Sequence, residues 1–341
     1  KTMNSIYSQV VNPNQEFSIV GGLCSHGERI RILILGAFGF IGTNILKFID
    51  DYLSGQYEVV VFDRTNKHPK GVEINSISKV YTGDITSTLD IENIFRNEAE
   101  FDVVLHLVTT TVPAASNDYR YDIETNLIST IQLLEMCKKY KAHKIIYLSS
   151  GGAIYGDMAN AHSENQVAKP ISSYGITKLA VENYMYLYKR LFDLDYLIVR
   201  LSNPYGPYHY STKQGVINIA IQKALRGEKL SIWGDGTGCK DYIYIEDFCR
   251  ILFILINMNY KNEIVNIGSG SVYSLNDIVE TIHKQLPSFG WEYTCCHQSD
   301  VVDFTLDISK LLSIIGDMRF IALAEGISKT LAWHKDNKFV L

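Results

Sequence analysis

Tyr174 and Lys178 stand four residues apart in Tyr174-Gly175-Ile176-Thr177-Lys178. On a helix that spacing puts both side chains on one face, one turn apart. A tyrosine phenol is too weak an acid to ionise at neutral pH. A nearby ammonium, together with the positive nicotinamide of an oxidised dinucleotide, would stabilise the phenolate and lower its pKa. Such a phenolate could take a proton from a sugar hydroxyl while the carbon's hydride leaves for the cofactor. Spacing alone is weak, because the chain has 22 tyrosines. Position strengthens it. The pair follows an apolar run at 144–148 and the turn Ser149-Ser150-Gly151-Gly152, and strand ends of an open parallel sheet line a ligand crevice.

A second constellation supplies the cofactor. The apolar run Ile30–Leu35 leads into Gly36-Ala37-Phe38-Gly39-Phe40-Ile41-Gly42, and a helical pattern follows. Glycines at this spacing allow a tight turn, close approach of backbone to a pyrophosphate, and close helix–sheet packing. The helix N-terminus then offers free N–H groups and a partial positive charge to the phosphates. Asp63 ends the next run, about twenty residues after the last glycine, where an acid accepts from a ribose diol and repels a 2′-phosphate. That favours NAD over NADP, although Arg64 beside it could meet a 2′-phosphate.

These groups need a scaffold, and the chain has the pattern for one. Apolar runs at 30–35, 57–62, 80–81, 101–107, 144–148 and 196–201 alternate with amphipathic stretches at 41–51, 89–96, 122–140 and 174–191. Such alternation predicts an α/β fold with a parallel sheet covered on both faces. Residues 1–28 lack periodicity and read as a leader or an extension outside the core. Residues 29–203 form the dinucleotide-binding domain. Residues 204–341 are mainly a smaller substrate lobe, interleaved with the first. The apolar fraction of 46% supports a filled core, and a net charge of −5 gives no basic field for nucleic acid. Six cysteines without C-x-x-C spacing argue against a zinc site or disulfide framework and for a reducing cytoplasm. No metal is expected. His106 has no partner at metal-ligand spacing and reads as a packing residue. No apolar run reaches membrane-spanning length.

In order, the chain carries GAFGFIG, Asp63, Gly83-Asp84-Ile85, His106-Leu107, Asn126, SSGGAIYG (149–156), YGITK (174–178), RLSNPYGP (200–207), WGDG (233–236), DYIYIED (241–247) and NIGSG (266–270). Over residues 30–335 it resembles the extended short-chain dehydrogenase/reductases, in the nucleotide-sugar epimerase/dehydratase group. The resemblance implies a Rossmann doubly wound parallel sheet with a smaller C-terminal α/β substrate lobe, NAD as cofactor and a nucleotide-sugar as substrate. It implies that Asp84 and Ile85 contact adenine, and that Leu107, Thr109, Asn126, Ser149 and Leu201 line the cofactor beside the glycine turn. Ser150 would assist Tyr174. Asn203, Thr111, Gln214, Gly215, Val216, Ile217 and Trp233 would shape the substrate pocket. It also implies a homodimer, with the helices at 122–140 and 184–191 paired across a two-fold through Leu127, Ile131, Leu134, Tyr184, Leu187 and Leu191.

The chain departs from this pattern in places. The dehydratase branch has Asp-Glu where Gly152 and Ala153 stand, which removes the acid needed for 4,6-dehydration. The epimerase branch has Ser or Thr at Gly151, so Ser150, Thr110 or Thr111 must supply the hydroxyl. Lys240 and His297, near Asp300, replace two phosphate-binding arginines. Lysine pairs with phosphate as a point charge without the planar fork, and histidine is charged only part of the time near neutrality. The resulting expectation is C4 epimerisation of a UDP-hexose or UDP-N-acetylhexosamine through a transient 4-keto sugar. The alternative is an NAD(P)H-dependent reductase of a dTDP-type 4-keto-6-deoxy sugar. A nucleotide-binding regulator without turnover is the third reading, and the intact Tyr174/Lys178 pair argues against it.

Overall fold

The apolar runs become strands because both of their faces are covered. In a computed structural model, which describes residues 29–68, 72–111, 118–156, 161–295 and 303–337, the strands are β1 (Ile30–Leu35), β2 (Tyr57–Asp63), β3 (Ile77–Thr82), β4 (Val103–His106), β5 (Lys144–Ser150), β6 (Asp195–Leu201), β7 (Asn203–Tyr205), β8 (Leu230–Trp233), β9 (Cys239–Tyr244), β10 (Glu263–Ile267), β11 (Val272–Ser274) and β12 (Trp291–Thr294). Seven of them form a parallel sheet in the order β10-β6-β5-β4-β1-β2-β3. The order reverses between β1 and β4, and a crevice opens at such a switch point, beyond the carboxyl ends of the strands.

The helices are α1 (Phe40–Tyr52), α2 (Thr88–Asn97), α3 (Tyr119–Asp122), α4 (Ser129–Lys139), α5 (Gly151–Ile154), α6 (Ser173–Phe192), α7 (Val216–Arg226), α8 (Ile245–Asn257), α9 (Leu275–Gln285), α10 (Ser309–Ile315) and α11 (Leu323–Asp336). On one face of the sheet, Ile32, Ile34, Val59 and Val61 pack with Ile45 and Ile49 of α1 and Phe248 and Leu252 of α8. On the other, Leu33, Val60, Val104 and Ile145 pack with Ile94 of α2, Leu133 of α4 and Met185 of α6. A third core joins α7, α9 and α11 around Ile221, Ile232, Ile278 and Ile327. β10, far along the chain, pairs with β6 and completes the main sheet. Among the described residues no helix is long and apolar enough to cross a membrane.

The single helix expected over 122–140 is interrupted. Residues Ile123–Ile128 form a π-helical segment between α3 and α4. Side-chain hydroxyls compete there for helix carbonyls. Thr125 donates to the Tyr121 carbonyl at 2.8 Å, Ser129 to Thr125 at 2.5 Å and Thr130 to Asn126 at 2.5 Å. The wide turn carries Thr125 and Asn126 to the end of β4, and π segments of this kind recur at functional sites.

Helix α6 is fixed at its start by Ser172, whose side chain accepts from the Gly175 N–H, a standard N-cap arrangement. A Cβ on Gly175 would sit 2.2 Å from the Ala153 carbonyl oxygen. The glycine in YGITK therefore lets α6 close onto the α5 turn, which brings Tyr174 to the end of β5.

Candidate active site

The glycine turn is built for close contact. Gly36 has φ +82°, and its missing Cβ leaves room for the Val108 backbone 3.2 Å away. At Gly42 a Cβ would lie 2.5 Å from the Ala37 oxygen. The Asp63 carboxylate accepts from the Phe38 N–H at 2.9 Å, so it braces the turn as well as facing the crevice. Asp84 accepts from both the N–H and the hydroxyl of Thr86, and these bonds, with the nearby Arg64, hold its carboxyl below the usual range. A cavity of about 1440 Å³ runs from this turn past Tyr174 to Asn203 and Lys240. Single small-molecule pockets span roughly 300–1,000 Å³, so the space suits two ligands side by side.

Tyr174 and Lys178 both line this cavity. The hydroxyls of Ser150 and Thr109 both favour ionisation of the Tyr174 phenol, against its burial. The Lys178 ammonium donates to the Leu148 carbonyl at 2.9 Å and lies 4.6 Å from the centre of the Tyr147 ring and 5.6 Å from that of Tyr174. In the protein without ligand, burial dominates both groups. Burial raises Tyr174 to about 12, with the two hydroxyls opposing it and Asp122 adding to it. Burial likewise pulls Lys178 down to about 7, against the opposing Glu182 charge. Desolvation penalises the charged form of each group.

The model of the NAD dependent epimerase/dehydratase family matches residues 32–268. The chain belongs to this family. A Methanocaldococcus jannaschii protein provisionally named UDP-glucose 4-epimerase is 35% identical over 310 residues, spanning 90% of this chain and 99% of its own length. A UDP-glucuronate 4-epimerase of Thermodesulfobacterium geofontis is 30% identical over 321 residues, spanning 89% and 96%. A crystal structure of the Thermotoga maritima UDP-glucose 4-epimerase with UDP-glucose superposes with a TM-score of 0.83 at 29% identity, covering 91% of this chain and all of the other. The glycine turn fits the family's NAD, since Gly36, Gly39 and Gly42 open onto the cavity at the N-terminus of α1.

Most residues predicted for the site line this cavity. Phe38, Gly39, Phe40, Ile41, Ile85, Leu107, Ser149, Leu201, Asn203, Gln214, Gly215 and Lys240 all line it. Others do not. Ile217 is 1% exposed and belongs to the C-terminal core, with Val216 packed against that core, because α7 turns its apolar face inward. Trp233 ends β8, is 57% exposed and does not line the cavity. Asn126 acts behind the wall. Its carboxamide accepts from the Thr110 N–H at 3.0 Å and donates to the hydroxyls of Thr110 and Thr111 at 2.9 and 3.2 Å. Thr111 is therefore held off the cavity. His106 is buried, with Nε2 2.9 Å from the Thr130 hydroxyl and its ring against Tyr147. His297, Asp300 and residues 1–28 lie outside the described residues.

Two lining residues carry no sequence signal. Phe304 enters from a segment held to β9 by backbone bonds to Cys239 and Asp241 at 2.8 and 2.9 Å. His209 stacks on Phe40 at 4.2 Å. Both arrive by long-range pairing, which local spacing does not encode.

Proposed function

We propose that this chain is an NAD-dependent nucleotide-sugar 4-epimerase acting on a UDP-hexose or UDP-N-acetylhexosamine. The observation that carries the reading is the shared cavity, with the Gly36–Gly42 turn at one end, Tyr174 and Lys178 in the middle, and Asn203 and Lys240 beyond. Bound NAD supplies an acceptor, and later a donor, of hydride at C4 of the sugar. Tyr174 takes the proton of the 4-hydroxyl and returns it. Ser150 holds the phenol oxygen, and Lys178 supplies positive charge one turn away. Asp63 accepts from the adenosine ribose. Asn203 donates to the sugar diphosphate, and Lys240 pairs with it as a point charge. Among the lining residues the acids are Asp63 and Asp84, at the adenosine end, while Gly152 and Ala153 line the wall near Tyr174. With no acid among the described lining residues there to protonate a leaving hydroxyl, epimerisation is favoured over dehydration.

The purified protein should carry NAD and interconvert UDP-glucose and UDP-galactose, or their N-acetyl or glucuronate counterparts, with no added cofactor. Stoichiometric consumption of NADH or NADPH with a 4-keto sugar would replace this reading with a reductase.

The enzyme is a homodimer in this reading. Leu187, Leu191 and Phe192 of α6 and Ile128 beside α4 are exposed apolar residues, and exposed apolar residues that cluster mark interfaces. Leu134, expected in the interface, instead turns into the core. Leu187→Asp combined with Leu191→Asp should give a monomer in size-exclusion chromatography with light scattering. A wild-type protein that is already monomeric would remove the dimer.

A further inference from the structure

The glycine turn meets the chain a second time, after β7. Residues 206–210 run past the first turn of α1 before α7 begins. That turn receives little help from its own cap, since Gly39 offers no side chain to the first N–H groups of α1. Besides Asp63, what steadies it comes from this later segment. Asn44, one turn into α1, donates to the Phe40 carbonyl at 2.8 Å and to the Pro207 carbonyl at 2.9 Å. The His209 ring lies flat on that of Phe40, with centres 4.2 Å apart and 8° between the planes. His209 is 7% exposed, and burial pulls its imidazole down to about 4, so it stacks as a neutral ring near neutrality.

The same segment is locked to the C-terminal core. Asn218 of α7 accepts from the Gly206 N–H at 3.3 Å and donates to the Gly206 carbonyl at 2.7 Å. Gln222, one turn on, donates to the His209 carbonyl at 3.2 Å. Gly215, the N-cap of α7, has φ +85°, and a Cβ on it would lie 2.1 Å from His209 Cε1, so the histidine ring occupies the place of a side chain there. Tyr208 takes the left-handed conformation, with φ +63°. A tyrosine does so rarely, and only where its surroundings hold it. Here Tyr208 and Tyr210 both meet the Trp333 ring of α11, with centres 5.0 and 5.6 Å away. The residue between them, His209, meets Phe40 instead.

We propose that His209 is a positioning residue through which the C-terminal core holds the first turn of α1 in the form that receives the dinucleotide pyrophosphate, so that retention of NAD depends on this strap. Phe40 opens α1 and lines the cavity, at the end of the helix where free N–H groups attract phosphate. Apparent affinity falls in proportion to the fraction of protein in the binding-competent form. Loss of one aromatic stack is enough to change that fraction severalfold. The role asks no proton or hydride of His209, so it holds for an epimerase and a reductase alike.

The test follows exchange of labelled NAD out of the loaded protein, which needs no turnover. His209→Leu keeps about the volume of the side chain and removes its plane. It should release NAD roughly 3- to 10-fold faster than the wild type, the range of one aromatic pair. Phe40→Leu should have a comparable effect. The double variant should release NAD no faster than the quicker single variant, because both substitutions remove the same stack. Release at the wild-type rate from His209→Leu, or single effects that multiply in the double variant, would overturn the proposal. Should His209→Leu fail to fold, Asn44→Ala tests the same strap from α1. Faster release is expected there too, and an unchanged rate counts equally against the proposal. No sugar is present in the measurement, so an error in the proposed reaction leaves its outcome untouched.

Discussion

Tyr174→Phe should lower turnover of the nucleotide-sugar by about 10²- to 10⁴-fold, the usual contribution of one positioned acid–base group, and leave fold and NAD binding intact. The expectation follows from what the substitution removes. A phenyl ring keeps the packing of Tyr174 beside the Lys178 ammonium. The glycine turn and Asp63, which face the other end of the cavity, are untouched. Only the phenol oxygen, whose ionisation the Ser150 and Thr109 hydroxyls favour, is lost. Circular dichroism and NAD titration should match the wild type while kcat collapses. Near-normal turnover would take Tyr174 out of the mechanism.

The wild-type pH profile carries a sign that can be checked in the same experiment. Burial holds the Tyr174 phenol at about 12 without ligands, and the protonated phenol cannot accept a proton. Turnover should therefore rise with pH toward the titration point of the phenol in the loaded enzyme. A positive nicotinamide beside the oxygen lowers that point, since an opposite charge favours the ionised form. A rate that falls steadily as pH rises from neutrality would contradict a phenolate base.

Most of the sheet was legible because its central strands announce themselves within their own residues. Ile30–Leu35 is one apolar run in the sequence and one strand in the fold, and the run at 196–201 falls within β6. β10 was not legible in this way. Glu263–Ile267 is short, and only its pairing with β6 across some sixty residues shows that it closes the sheet. The same contrast holds in the site. Tyr174, Lys178 and the glycine turn are spaced by local geometry, which sequence preserves. Phe304 arrives by backbone pairing with β9. The distinction among Thr109, Thr110 and Thr111 depends on where Asn126 reaches across from a π segment that no periodicity predicted.

Glu182→Gln should destabilise the folded protein by about 3–5 kcal/mol, the cost of leaving a buried charge without its partner. Glu182 stands one turn beyond Lys178, so the Tyr174, Lys178, Glu182 spacing continues along one face of α6. Its carboxylate accepts from Arg200 Nη2 at 2.7 Å, Arg200 Nε at 3.1 Å and the Ser149 hydroxyl at 2.7 Å. The two side chains are 3% and 4% exposed, so water cannot replace the lost charge. Arg200 also donates to the Tyr155 hydroxyl at 2.8 Å, and that hydroxyl donates to Asn266 of β10 at 2.8 Å. The network thus ties α6 and the end of β5 to the strand that closes the sheet. Urea denaturation should show the loss, and Glu182→Leu with Arg200→Met should recover part of it, because removing both charges leaves none unpaired. A loss below about 1 kcal/mol, the range of surface pairs, would mean that Arg200 finds another partner. The same carboxylate is the group that raises the Lys178 pKa against burial. In any Glu182→Gln protein that still folds, Lys178 should therefore lose its proton at a lower pH than in the wild type, so that one buried acid serves both the closure of the sheet and the charge state of Lys178.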